Sequence, residues 1–451
     1  MKKLTPIVSG LCAFTVSMSS PVFSQTEVKK SGYALEEVIV TAQKKAESLQ
    51  DTPISLTAFG EERLEIDGIS SLGDIGIRGI GFSDVQVTQG PPVGIYVDGV
   101  YIARSTGTAL DVAELQRIEV LRGPQGTLYG RNTTGGAINL VTKRPTTDAF
   151  ELKQKFTVGN RGLFTSKTSA NIPLADTLAA KVAYLSTRSD GFIENTGPGG
   201  DFGDREVEGY RIDLRWDISD SMSLDYAYDN SDFEYYNSMY QSINPAIQNK
   251  GQAEPIREFA VSESKHSKNR FSSMATARKF EASTTEIEGH SFILTKDFQN
   301  VQFKYIGAFR ELRDASYADL GGGLGSEEYR VDSHEYCGAA VTAQTGSDCL
   351  PLVIPVISQE QYSHEFQLSG SLFDDSLDYI LGAYYFEEEA TENNSPLHHQ
   401  FSARISDGII PIPVLGEILG GVLIGAGDVH LVNMLSQRYD IKNEAKAVFG
   451  Q

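Results

Sequence analysis

From residue 149 to residue 451 the chain is written in runs that alternate apolar with polar, and a period of two confines it to strands with unlike faces. In "NVQFKYIGAFRE", Val301, Phe303, Tyr305, Gly307 and Phe309 share one face, while Gln302, Lys304, Ala308 and Arg310 share the other. A helix would gather residues three and four apart and mix the two sets. The same texture recurs in "FELKQKFTVG", "TLAAKVAYLSTR", "GYRIDLRWDIS", "MSLDYAYDNSDF", "SFILTKDFQ", "YSHEFQLSGSLF", "LDYILGAYYFEEE" and "RYDIKNEAKAVFG". These runs mark about ten strands of the length at which a tilted strand crosses a bilayer.

The connections alternate as well. Short turns, "PLADT", "SDSM", "FQNV" and "FDDSL", take turns with long polar stretches near residues 189–204, 235–283, 315–357 and 391–435. Short turns at one rim and long loops at the other are the pattern of an outer-membrane β-barrel, and a soluble β-sandwich has no such asymmetry. The supply of 20 tyrosines suits the aromatic girdles of such a barrel. The predicted architecture is therefore an antiparallel membrane β-barrel, in contact with outer-membrane lipid.

The N-terminus agrees with export. "MKKLTPIVSGLCAFTVSMSSPVFSQ" opens on Lys2 and Lys3, runs through a modestly apolar centre and offers Val22 and Ser24 before Gln25, the layout of a signal peptide over residues 1–24. Its apolar part is too short and interrupted for a spanning helix. Cys12 lies in that centre and is expected to leave with the signal. Cys337 and Cys349 remain, and an even pair in an exported chain points to a disulfide closing a short loop. Metal ligation beside His334 and His364 is the alternative, but no ligand spacing recurs, so no metal site is assigned. The net charge of −21 leaves no basic face for nucleic acid.

Residues 25–50 form a polar leader with one apolar run, "ALEEVIVTAQKKAE". Val38 to Thr41 favour an extended strand between charged flanks that cannot fold alone. Such a strand is either a hook for the sheet edge of another protein or an edge strand of the next domain. Residues 51–148 read as a compact α+β unit. "GEERLEIDGISSLGDI" has helical spacing, "GIYVDGVYI" is a hairpin turning at Asp98-Gly99, and "DVAELQRIEVLRG" passes from a short helix into a strand.

That unit ends in "LRGPQGTLYGRNTTGGAINLVTKRP". A phosphate-binding loop needs a helix after its glycines, and Asn, Thr, Gly and Val are poor helix formers. The segment reads instead as two strands joined through turns that ask for positive φ at Gly123, Gly126, Gly130 and the Gly135-Gly136 pair.

At these residues the chain resembles the TonB-dependent receptors of the bacterial outer membrane. "EEVIVTAQK" is similar to their TonB box, "DTPISLTAF" and "GIYVDGVYIAR" to their early plug sequence, and "LQRIEVLRGPQGTLYGRNTTGGAINLVTKRP" to the family pattern almost throughout. The resemblance implies a plug in the lumen of a wide barrel and TonB-dependent import of a scarce small molecule. In this family that is most often a ferric siderophore, and otherwise a vitamin, haem or saccharide. It implies a TonB-type energy-transducing partner that pairs with Glu37, Val38, Ile39, Val40, Thr41 and Ala42, and it implies no cofactor. It further implies that Glu119, Arg122, Arg131, Lys143 and Arg144 pair with charges of the barrel wall, against the plain reading of solvated turns and strand ends.

Two departures stand beside the resemblance. About twenty residues of the family pattern are missing between "SSLGDI" and "GIRGIG", and "AVFGQ" stops in mid-strand after about half the usual strands. The expectation is an incomplete barrel, with a truncated, non-transporting outer-membrane protein as the alternative function. A passive porin needs neither box nor plug. No nucleophile and base assemble into a motif, and residues 51–148 contain no histidine, so no enzyme is expected. Glu387 to Glu389 and His398-His399 sit at or in a predicted loop and read as solvated surface rather than a metal or cationic-substrate site.

Overall fold

The computed structural model describes residues 39–41, 43–45, 47–50, 52, 54–60, 76–81, 87–104, 114–197, 199–239, 241, 267–274, 282–316, 356–373, 376–404 and 428–451, with side chains given up to 392 and again from 438. In the leader, β1 (Ile39–Val40) and β2 (Glu47–Ser48) pair antiparallel. The leader strand thus belongs to a ribbon of its own. The plug follows as β3 (Leu56–Gly60), β4 (Val93–Val97), β5 (Val100–Ile102), β6 (Leu115–Arg122) and β7 (Gly136–Thr142), in the spatial order β3-β6-β7-β4-β5. Within this five-stranded sheet only β4 and β7 run parallel, and both are almost wholly buried, as parallel strands covered on two faces must be. The β4–β5 hairpin turns at Asp98 and Gly99 with φ of 51° and 88°, which matches a two-residue turn that needs the left-handed region. Both helical stretches expected in this unit lie outside the described residues.

The wall consists of β8 (Glu151–Val158), β9 (Phe164–Ala175), β10 (Leu178–Ser189), β12 (Arg205–Ser219), β13 (Met222–Tyr235), β15 (Ser283–Asp297), β16 (Val301–Ala315), β17 (Val356–Leu372), β18 (Leu377–Arg404) and β19 (Asp428–Gly450). Two short loop strands, β11 (Glu194–Asn195) and β14 (Ser273–Met274), pair with each other between them. The ten wall strands form one sheet in chain order with antiparallel neighbours throughout. The sheet is open: among the described residues, β8 has a partner only in β9 and β19 only in β18.

Its two faces differ as the alternation requires. On β12, Tyr210, Ile212, Leu214, Trp216 and Ile218 point outward and are exposed, while Arg211 and Asp213 between them are buried against the plug side. Five alternate residues span about 27 Å along a strand, commensurate with an outward apolar band about 25 Å tall. Aromatic pairs cross neighbouring strands at one margin of the band: Tyr210 with Tyr228, with ring centroids 5.8 Å apart, Tyr228 with His290 at 4.7 Å and Phe309 with Tyr362 at 4.8 Å. The next outward residues toward the long loops are Glu208, Glu288, Glu311 and Glu360, where the apolar band ends.

One expectation about the wall is corrected. Glu387 to Glu389 lie within β18 rather than at a loop, because β18 and β19 extend far past the apolar band. Glu387 and Glu389 face outward and both accept from Lys442 Nζ on β19, at 2.7 and 2.6 Å, so cross-strand pairing, rather than loop solvation, accounts for these two charges. Glu388 faces the plug. His398 and His399 are also in β18, but their side chains lie outside the described set. Cys337 and Cys349 lie outside the described residues altogether.

Candidate functional site

Glu119 sits in β6, an internal strand with both edges paired, to β3 and β7, and its carboxylate is 0% exposed. A buried carboxylate must be surrounded by donors. Arg117, two residues earlier on the same face, donates from Nε at 2.7 Å. Asn139, its register partner on β7, donates from Nδ2 at 3.0 Å. The remaining donors come from the leader: the Thr41 N–H at 2.8 Å and the Thr41 hydroxyl at 3.1 Å. Val40 beside it is fully buried, whereas Ile39 is 44% exposed. The leader is therefore clamped to the plug through one buried acid. Just beyond the clamp it meets the wall, where Lys44 pairs with Glu365 of β17 and lies 4.7 Å from the Phe449 ring centroid, and Lys45 pairs with Asp378 at 2.7 Å.

Charged bridges tie the plug to the wall. Glu114, just before β6, pairs with Lys153 of β8 at 2.6 Å, with Lys181 of β10 and with Lys143 of the plug at 3.7 Å. Asp98 of the plug hairpin meets Arg211 of β12 at 3.4 Å, and Arg211 also pairs with Asp213 at 2.7 Å. Arg144 reaches Asp225 of β13 at 2.6 Å. Nearer the long loops, Arg104 pairs with Glu388 at 2.9 Å, and Gln361 brackets the plug by accepting from the Ala103 N–H at 3.0 Å and donating to the Tyr101 carbonyl at 2.7 Å.

Burial alone would raise the Glu114 carboxyl, but hydrogen bonds from Lys153 and Lys181 outweigh it and hold it at about 2, below its ordinary value of 4.5. A carboxyl depressed in the folded state adds stability that is present above its ordinary value and lost as the pH falls toward its folded one. The docking of the plug on β8 and β10 should therefore be level from pH 8 to about 5 and weaken between pH 4.5 and 2. Urea melts followed across that range should show the slope, and Glu114→Gln should flatten it; an unchanged slope in the variant would exclude Glu114 as the source.

The residues singled out in the sequence fall in different places. Arg144 touches the wall as an ion pair, and Arg131 does so as a cation stacked 5.3 Å from the Phe386 ring centroid. Lys143 pairs within the plug, and its carbonyl accepts from wall Lys181 at 3.3 Å. Glu119 faces inward onto the leader and not the wall. Arg122 is exposed at the end of β6. Of the leader set, Ile39 to Thr41 are described, and Glu37, Val38 and Ala42 lie outside the described residues. Among the turn glycines, Gly123, Gly130 and Gly136 have φ of 91°, 77° and 154°, but Gly126 and Gly135 do not adopt positive φ. At Gly135 a Cβ would lie 3.1 Å from the Ile80 side chain, close enough that Ile80 would have to give by a few tenths of an ångström. At Gly136 a Cβ would come within 2.3 Å of the Leu121 carbonyl oxygen. Asp98, Arg104 and Glu114 were missed: a turn aspartate and single charges at strand ends look solvated until the wall is in place.

A wall with an apolar outward band and a charged inner face, holding a small β-sheet domain by ion pairs, is the architecture of a plugged outer-membrane β-barrel. Residues 48–137 match the TonB-dependent Receptor Plug Domain family, and the ten wall strands follow that match in the chain. It is 36% identical to the pesticin receptor of Yersinia pestis over 139 residues, which cover 31% of this chain and 20% of that protein. It is 28% identical over 207 residues to the iron-regulated outer membrane virulence protein of Vibrio cholerae, covering 38% of this chain and 30% of that one. In fold it is similar to the ferric yersiniabactin uptake receptor FyuA of Yersinia pestis, with a TM-score of 0.57 at 17% identity over 88% of this chain and 61% of that one. The ferripyoverdine receptor of Pseudomonas aeruginosa gives 0.57 at 14% identity over 92% and 51%. The match spans about a fifth of the length of the pesticin receptor. The Vibrio cholerae relative is named an outer membrane protein, and the apolar outward band of this wall has the height that an outer membrane requires.

Proposed function

We propose that the protein serves TonB-dependent import of a ferric siderophore across the outer membrane. The observation that carries this reading is the clamp of the leader on Glu119: a pull on the leader is delivered to β6, an internal strand of the plug. The outer membrane has no ATP of its own, so work has to arrive as force from the inner membrane. In this reading residues 1–24 are a signal peptide, 25–50 the leader, 51–148 the plug and 149–451 the N-terminal portion of the barrel wall. Glu37 to Ala42 pair with the TonB-type transducer, Arg131, Lys143 and Arg144 help to seat the plug, and Cys337 and Cys349 close a loop by a disulfide. The curated relatives support an iron cargo, since one is a catecholate siderophore receptor and another is iron-regulated.

The test is uptake of iron-55 supplied as yersiniabactin, pyoverdine and catecholate chelates to iron-starved cells with and without the gene. Uptake of one chelate that requires both the gene and a functional transducer supports the reading. Equal uptake with and without the gene for every chelate, alongside protein folded in the outer membrane, rejects it for these siderophores.

A further inference from the structure

On the short-turn side of the plug a cavity of about 700 Å³ lies between the leader, β7 and strands β15 to β17. Its walls include the Asp297–Val301 turn and the end of β17, so it opens at the rim opposite the long loops. In a chain of net charge −21 the lining is rich in cations: Lys44, Lys45, Arg117, Arg144 and Lys304. The first four each have an acid partner, in Glu365, Asp378, Glu119 and Asp225 respectively. Lys304, which points inward from β16, has no hydrogen bond or ion pair among the described residues. The lining acids are engaged as well, since Asp98 holds Thr142 and Arg211 while Asp297 accepts from Gln302 at 2.8 Å.

A second group is left over in the same lining. Asn139 is 5% exposed, its Nδ2 is used on Glu119 and Thr41, and its Oδ1 is buried without a partner. A buried acceptor left unmet is costly, and Lys304, partly buried in the cavity wall, has acids in its neighbourhood but none at ion-pair distance among the described residues. A ligand offering an oxyanion to Lys304 and a hydroxyl or N–H to Asn139 would satisfy both. The volume falls in the range of organic ligands and far exceeds that of a single inorganic anion.

We propose that this cavity binds a small organic anion that also carries a hydrogen-bond donor, a hydroxycarboxylate being the simplest case. Lys304 pairs with the carboxylate and Asn139 Oδ1 accepts from the hydroxyl. Its purpose rests on the import reading: it is a stopping place for the anionic part of the cargo on the side of the plug where the leader is pulled. The binding itself requires no transport.

The experiment is calorimetric titration of the purified full chain in detergent with iron-free citrate, and separately with ferric citrate and with inorganic phosphate. Saturable citrate binding is expected, weakened about tenfold or more in Lys304→Gln and kept within about threefold in Lys304→Arg, with phosphate failing to saturate over the same range. Ser369→Phe, which adds bulk to the lining, should block citrate and serves if Lys304→Gln does not fold. Equal affinity in wild type and Lys304→Gln, or no saturable binding of either citrate form to folded wild type, overturns the proposal. Tighter binding of ferric citrate than of citrate would assign the site to the chelate, and the reverse to the free anion. Failure of the iron-55 uptake test with citrate binding intact would reject import alone.

Discussion

Ile39→Pro is expected to bring energised uptake down to the level of cells lacking the transducer, while binding of the chelate at the cell surface stays as in wild type. Proline removes the backbone donor of residue 39 and bars it from a ladder at that position, so an added strand loses a bond at the centre of its run. With each bond worth about 0.5–1.5 kcal/mol net, a grip of a few bonds cannot spare one under load. The cost to the protein itself is small, because Ile39 is partly exposed and its ribbon has only two residue pairs, Ile39 with Ser48 and Val40 with Glu47. Ile39→Ala keeps the donor and should retain most of the uptake. Measuring iron-55 uptake and surface binding on the same cells separates the two steps, and full uptake by the proline variant would remove residue 39 from the transducer's grip.

Glu119→Ala should be the most damaging single change in the described plug. It strands the Arg117 guanidinium, the Asn139 amide and the Thr41 N–H without the carboxylate on which all three converge. Removing one partner of a buried ion pair costs about 3–5 kcal/mol. Glu119→Gln keeps the shape and one acceptor, and should cost about 1–3 kcal/mol. Denaturant melts of the two variants, with limited proteolysis of the leader, read both consequences: lower plug stability, and cleavage near residue 41 at protease concentrations that spare wild type. A leader equally protected in Glu119→Ala would show that Val40 packing, and not the carboxylate, holds it.

Much of the wall was legible because it depends on a local rule. Alternation in "GYRIDLRWDIS" and "NVQFKYIGAFRE" places Trp216 and Phe309 outside and Arg211 and Arg310 inside whatever the partners are, since the strand repeat is two and one side faces lipid. The hairpin at Asp98-Gly99 was legible for the same reason, as its turn demands those residue types. The limits of β18 and β19 were not. Beyond the apolar band nothing local separates a charged loop from a charged strand, and the ladder joining them is set by residues about fifty positions apart, such as Glu389 and Lys442.

The charges divide along the same line. From sequence, Glu119, Arg122, Arg131, Lys143 and Arg144 were one set of candidates for the wall, and Glu114, Asp98 and Arg104 were ordinary polar positions. Tertiary structure turned Glu119 away from the wall onto Thr41, 78 residues earlier, and brought Glu114 to Lys181 and Arg104 to Glu388. The sequence by itself determined which segments of the wall are strands and which face of each meets lipid. Only the folded chain decided which charges meet. A strand's period acts between neighbours and is written residue by residue, whereas an ion pair depends on two backbones brought within a few ångströms by packing that no local pattern records.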